Sequence, residues 1–135
     1  MFGAIKKGTP NYPVRSIRNE RYKYILNLEQ ASKFQNIITE TDKENYWNSI
    51  VQAAKSSPKA AQHIKQFQHR PAEEFYDVIN DPLELHNLAH KPEHRKRMDE
   101  MHIQLKAWMK NQGDLGSITE MDALNHQRKK IRTPK

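Results

Sequence analysis

The sequence contains no cysteine, which excludes disulfides, thiolate metal sites and a cysteine nucleophile but leaves the redox compartment open. It has only four glycines, and no glycine-rich phosphate loop or G-x-S-x-G nucleophile motif is present. No apolar run approaches the roughly 18–20 residues that a membrane-spanning helix needs, so no membrane partner is expected. Residues 1–7 carry no apolar stretch after their charges and do not read as a secretory signal.

What is there is polar. Mean hydropathy is -1.02 and 29% of residues are charged, which predicts a thin core under large solvated faces. At 135 residues the chain has room for one domain and not two. Aromatics reach 8%, with Trp47, Trp108 and five tyrosines, more than a disordered chain usually carries. The net charge of +7 suits a polyanion partner and equally suits solubility. Residues 114–135 hold five Lys/Arg and three Asp/Glu, or +2 of that total, so the charge is spread rather than gathered in one arm. The basic run Arg128–Arg132 lacks the interleaved aromatics that stack on bases, and nucleic acid is not an expected partner.

Residues 12–28 carry the clearest strand pattern. Val14, Ser16 and Arg18 alternate with Arg15 and Ile17, and Tyr22, Tyr24 and Leu26 alternate with Lys23 and Ile25. The two-residue break at Asn19-Glu20 makes this a β-hairpin with no turn glycine. Thr41-Asp42-Lys43-Glu44 is a capping box, and the apolar stripe Trp47, Ile50, Val51, Ala54 follows it at helical spacing. Ser57 as N-cap and Pro58 at the first helical position open a second helix, whose apolar face holds Ala61, Ile64 and Phe67. A third strand is expected over Glu74–Val78. Asp81-Pro82 then turns the chain so that Leu83, Leu85 and Leu88 tuck beneath the sheet. The last long helix runs from Pro92 to Gln112 with the stripe Met98, Met101, Leu105, Trp108, Met109, and Gly113 ends it. Beyond it Leu115, Ile118, Met121 and Leu124 are spaced to dock. The expected fold is α+β: a small antiparallel sheet of three to four strands, an inserted helical pair and a long C-terminal covering helix. Residues 1–113 form the domain, and 114–135 a basic, partly disordered tail.

No catalytic constellation emerges from these residues. His86, His90 and His94 are spaced four apart, the spacing of metal ligands on one helix face. Pro92 interrupts that helix, so they read as surface histidines and no metal site is expected. Glu73 and Glu74 are adjacent on a strand and point to opposite faces, poorly placed for joint acid–base work. The Met/Trp stripe reads as core packing.

Several stretches, in order, resemble one family. They are Tyr12-Pro13-Val14-Arg15-Ser16-Ile17-Arg18, then Glu20-Arg21-Tyr22-Lys23-Tyr24-Ile25-Leu26, then Arg70-Pro71-Ala72-Glu73-Glu74-Phe75-Tyr76-Asp77. Asp81-Pro82-Leu83-Glu84-Leu85-His86-Asn87-Leu88-Ala89 completes the set. Together they resemble the C-terminal end of arylsulfatase-type sulfatases, which reads R-x-x-R-Y-K-Y-I, E-L-Y-D-L, D-P-x-E-x-x-N-L-A and a closing helix. The helical insertion and the opening Y-P-x-R-S-I-R are most similar to the heparan N-sulfatase (sulfamidase-like) branch.

The resemblance covers residues 10–113 and implies a noncatalytic subdomain of a hydrolase of sulfate esters or sulfamates on carbohydrate. In such enzymes a formylglycine, made within C/S-x-P-x-R, attacks sulfur, and calcium is held by Asp and Asn side chains. Both cofactors would belong to a separate N-terminal domain, the implied partner, and no catalytic residue is expected in this chain. The nearest local string, Ser56-Ser57-Pro58-Lys59-Ala60, has Ala where the motif needs Arg, and its place as a helix start accounts for it. The resemblance puts Lys6 and Lys7 nearest the substrate, and with Arg15 and Arg18 they are the candidate rim for sulfated sugar. Solvated lysines and arginines fit the same spacing. A periplasmic, secreted or lysosomal-type parent is implied. Two other readings stand beside this one. The domain could hold sulfated polysaccharide by itself through the same cations and the basic tail, with strong salt dependence. Or it is purely structural, with an exposed docking face through which it self-associates.

Overall fold

The computed structural model describes residues 12–34 and 45–122. Strands β1 (Val14–Arg18) and β2 (Tyr22–Asn27) form the hairpin, with Ile17 opposite Tyr24. The turn lacks glycine because Asn19 supplies the closure. Its backbone N–H donates to Tyr22 O, and its side-chain Oδ1 accepts from the amides of Arg21 and Tyr22 at 3.0 and 2.7 Å. An Asn side chain in this role imitates a backbone turn. Strand β3 (Glu73–Asp77) pairs antiparallel with β2, Tyr24 opposite Phe75, giving the order β1-β2-β3. β3 thus begins and ends one residue earlier than the pattern suggested.

The two-residue period of the strands sorts their side chains between two faces. One face presents Ile17, Tyr22, Tyr24 and Phe75 to helix α3 (Arg95–Asn111), which follows a 3-10 turn at Pro92–His94. Met98, Met101, Leu105 and Met109 of α3 are buried against them. Tyr24, Phe75, Met98 and Leu105 are fully enclosed, each side chain contributing about 1.5–3 kcal/mol by leaving water. The rings of Tyr22 and Phe75 stack at 5.2 Å. Trp108 departs from the expected stripe and is 53% exposed. The buried positions recur at intervals of three and four, a seam too narrow to take the neighbour of Met109 as well.

Helices α1 (Asn45–Ala54) and α2 (Pro58–Gln68) lie between β2 and β3 in sequence. Ser57 Oγ caps α2 by accepting from the Ala60 amide at 3.3 Å. No residue of α2 is fully buried. The pair is held by ring contacts instead: Phe67 lies 5.4 Å from Trp47 and 5.1 Å from Phe34, and Phe34 meets Tyr12 at 5.2 Å. The capping box at Thr41–Glu44 lies outside the described residues.

Two apolar expectations fail. Leu83 and Leu85 are exposed, and only Leu88 packs on the core. After the Asp81-Pro82 turn the chain runs along the outer edge of β3. There the Leu88 amide donates to Phe75 O at 2.8 Å, and Asn87 Oδ1 accepts from the Phe75 amide at 3.0 Å. That edge pairing turns Leu88 inward and leaves the two earlier leucines on the loop. Beyond α3, Gly113 takes φ +68°, the left-handed stop that glycine permits. Helix α4 (Ser117–Asp122) follows, but Leu115, Ile118 and Met121 face solvent, and Leu124 lies outside the described residues. The segment is tied down by charge: Arg15 of β1 bonds Asp114 and Glu120. Among the described residues no helix is long and apolar enough to cross a membrane.

Candidate functional site

Of the four rim cations, Lys6 and Lys7 lie outside the described residues. Arg15 and Arg18 are three apart on β1 and therefore project to opposite faces. Arg15 donates to both oxygens of Asp114 and, at 2.8 Å, to Glu120 Oε1. The Asp114 bond holds the guanidinium charged against the opposing effect of burial, and Arg15 in turn holds the Asp114 carboxyl below the usual range. Arg18 is exposed.

Glu73 and Glu74 likewise enter opposite faces. On the α3 side, Tyr24 Oη donates to Glu73 Oε1 at 2.6 Å and sits 2.7 Å from His102 Nδ1. Burial, then the Glu73 bond, pushes the Tyr24 phenol far up, so it stays protonated and acts as a donor. On the other side, Glu74 is 3% exposed. It accepts from Arg70 Nε and a terminal guanidinium nitrogen at 2.8 and 2.9 Å, from Tyr76 Oη at 2.6 Å, and from Asn27 Nδ2 at 2.6 Å. Burial raises its pKa, but the bonds from Arg70, Tyr76 and Asn27 outweigh it and hold the carboxylate ionised. Burial pushes the Tyr76 phenol up in the same way. Both carboxylates are occupied by donors, and in the Glu74 network the Asn27 Oδ1 is left buried without a partner.

Above Glu74 opens a cleft of about 790 Å³ between the end of α2 and residues 84–91. Arg70, Glu74 and Tyr76 line its base, Phe67 and Leu88 give it apolar sides, and His63, His69, His90 and Lys91 stand among its lining residues. Glu84 borders it in a left-handed conformation, φ +54°, a costly one for a residue with a Cβ. Both its carboxylate oxygens accept from Lys23 Nζ, at 2.9 and 2.7 Å. His86 and His90 belong to this cleft, whereas His94 does not. The expectation of a surface histidine holds only in part at His94, which is half-buried. It packs 6.1 Å from Tyr22 and 5.8 Å from Phe75, with Nδ1 buried and unpartnered. Sequence spacing could not reveal the cleft, because residues 63–70 and 84–91 meet only once β3 is docked between them.

Among the described residues, the string nearest to C/S-x-P-x-R, Ser56-Ser57-Pro58-Lys59-Ala60, serves as a helix start. In the decoy string, the serine in the nucleophile position, Ser56, spends its hydroxyl on Ala53 O at 3.3 Å, and Ser57 caps α2. Among the described residues no group of three or more His, Asp or Glu side chains is disposed to hold a metal ion.

The chain matches no protein-family model. It is 35% identical to one ulvan-active sulfatase of Formosa agariphila over 104 residues, which are 77% of this chain and 18% of that protein. To a second ulvan-active sulfatase of the same organism it is 26% identical over 113 residues, 83% of this chain and 19% of that protein. The chain is therefore sulfatase-related over most of its length, and it spans less than a fifth of the length of the curated relatives it matches.

Proposed function

We propose that this chain is the C-terminal subdomain of a sulfatase of the heparan N-sulfatase branch. It would act on sulfated carbohydrate only when joined to a catalytic domain that carries formylglycine and calcium. The observation that supports a sulfatase subdomain is 35% identity over 104 residues to a protein of which those residues are 18%; the branch rests on the Y-P-x-R-S-I-R opening and the helical insertion alone. The donors that occupy the carboxylates of Glu73 and Glu74 agree with a scaffold rather than a reacting centre. Lys6, Lys7 and Arg18 stand toward the substrate in this reading, with Arg15 engaged by Asp114 and Glu120. The exposed Ile79, Leu83 and Leu85 form part of the face that meets the catalytic domain, and in its absence that face promotes self-association.

The test is to assay the purified chain on an aryl sulfate with and without calcium. No turnover is expected, and turnover proportional to protein concentration sinks the proposal. Sequencing the DNA upstream of the Met1 codon sharpens it, since an in-frame C/S-x-P-x-R is expected there.

A second reading, a free-standing module for sulfated glycan, is favoured by the +7 net charge. It requires retention on heparin resin that falls steeply with salt.

A further inference from the structure

The rest of the chain closes one edge of the sheet and leaves the other open. At the outer edge of β3 the Leu88 amide donates to Phe75 O at 2.8 Å, the Phe75 amide donates to Asn87 Oδ1 at 3.0 Å, and Asn87 Nδ2 donates to Glu73 O at 3.3 Å. β1 has no such cover. In the order β1-β2-β3 it has a single strand neighbour. The bonds from Leu28 N–H to Pro13 O and from Asn19 N–H to Tyr22 O fix which of its groups face β2, because those groups alternate along an antiparallel strand. Arg15 and Ile17 turn their amides and carbonyls to β2, and Val14, Ser16 and Arg18 turn theirs outward. Among the described residues, the one hydrogen bond to these outward groups runs from Arg15 Nη1 to Val14 O at 3.1 Å. Ser16 and Arg18 are exposed. The strand has neither an internal proline nor a bulge, two of the devices that keep an edge from pairing.

Apolar side chains stand exposed beside this edge. Arg95 and His102 of α3 lie within 3.7 Å of Glu73 on β3, so the opposite flank of the helix, which carries Trp108, looks toward β1. Arg15 draws the segment after α3 to the same side through Asp114 and Glu120. Leu115, Ile118 and Met121 are close to those two acids in sequence, and all three are exposed. The strand Val14-Arg15-Ser16-Ile17-Arg18 is also complementary to its own reverse. An antiparallel copy centred on Ser16 sets Ser16 against Ser16, Val14 against Arg18 and Arg15 against Ile17. Every outward amide then meets an outward carbonyl, and no two arginines stand opposite each other, an arrangement that costs stability. A register centred on Arg15 opposes Arg15 to itself, and one centred on Ile17 leaves Val14 unpaired. Arg15 is already neutralised by Asp114 and Glu120.

We propose that β1 pairs antiparallel with β1 of a second copy of this chain, centred on Ser16, so that the two sheets continue as one. The two-fold axis at Ser16 stands perpendicular to the sheet and keeps like faces together. Both α3 helices therefore lie on one face, with the exposed Trp108 of each beside the joint. This surface is separate from the Ile79, Leu83 and Leu85 face, and the inference does not rest on the sulfatase reading. Each copy carries a net charge of +7, so salt screens their mutual repulsion and the dimer tightens as ionic strength rises.

The test is sedimentation velocity of the full chain over a concentration series at low and high salt. A dimer is expected, stronger at high salt. Ser16→Pro abolishes it, because proline removes an outward amide and leaves the β1–β2 bonds in place, whereas Leu83→Ser leaves this dimer intact. Two further readouts do not depend on how the proline variant folds. In the parent chain, hydrogen exchange at the Ser16 and Arg18 amides slows as protein concentration rises. Ser16→Cys introduces a cysteine into a chain that has none. Directly opposed, bonded residues have Cα atoms about 5.5 Å apart, within the roughly 4.4–6.8 Å that a disulfide spans. Mild oxidation therefore cross-links Ser16→Cys quickly and Glu20→Cys, at the hairpin turn, slowly. The inference is overturned by a chain that stays monomeric or by a dimer that survives Ser16→Pro. It is equally overturned by exchange at Ser16 and Arg18 that ignores concentration, or by Ser16→Cys cross-linking no faster than Glu20→Cys.

Discussion

The two faces of the sheet are built from the same three strands by different physics. Toward α3 the strands present Ile17, Tyr22, Tyr24 and Phe75 to four apolar residues of one helix, and non-directional burial supplies the stability. Toward α2 the apolar share is small: Ile25, Tyr76 and Val78, with Val14 packed against them. There the buried positions Asn27 and Glu74 join Arg70 and Tyr76 in a hydrogen-bonded network. Such a network adds little net energy, yet breaking it is costly because each member is then left unpaired. The α3 face therefore carries the fold. The α2 face holds a cleft in position, and α2 itself, with no fully buried residue, is the more easily detached of the two covers.

The sharpest way to break this contrast is Phe75→Ala. Phe75 is 0% exposed and stacked on Tyr22, so the substitution is expected to cost about 3–5 kcal/mol, read from the urea unfolding midpoint. A cost under 1 kcal/mol would show that the α3 face is not the main core. Glu74→Ala is expected to cost less, roughly 2 kcal/mol, since it strands Arg70, whose side chain keeps 26% of its exposure and can rehydrate in part. Its distinguishing result is loss of α2 amide protection from hydrogen exchange while α3 protection persists.

An acid titration probes the end of β3. Asp77 is held at about 2 chiefly by its hydrogen bond from Arg21, with Asn80 adding to it. Because the folded value lies below the unfolded value of about 3.9, this contribution is complete at neutral pH. It is lost as pH falls from about 4 to about 2. Arg21→Gln is expected to lower stability at pH 6 and to flatten that acid limb, so that the two unfolding curves converge near the acid end. Parallel curves would mean that Arg21 does not set the Asp77 titration. The smallest effect is expected at Leu83→Ser. Leu83 is 75% exposed, and its loss should change stability by less than about 0.5 kcal/mol. Reduced self-association in sedimentation velocity would then tie this residue to the proposed docking face.

Much of the α3 face was legible in the sequence because its signals are local and periodic. Alternation in 14–18 and 22–27 set the hairpin and its faces, the Met/Leu spacing set α3, and Ser57-Pro58 and Gly113 marked helix ends through chemistry confined to a few residues. Trp108 was misread because periodicity marks a stripe's direction without its width. Leu83 and Leu85 were misread because composition cannot say which loop leucine meets a surface. The partial burial of His94 was not legible because it depends on two rings, Tyr22 and Phe75, far away in the chain.

Sequence by itself determined the α+β class, the antiparallel hairpin, the covering helix, the opposite projection of Glu73 and Glu74 and the resemblance to sulfatases. Each follows from nearest-neighbour geometry or from an ordered string of residues. Tertiary structure alone decided that Arg15 reaches 99 positions along the chain to clamp Asp114. It also brought His63, His69, His90 and Lys91 around one cleft. Those outcomes depend on how β3 docks beside β2 and where the chain runs afterwards, and no local spacing encodes a meeting between segments that only a third element brings together.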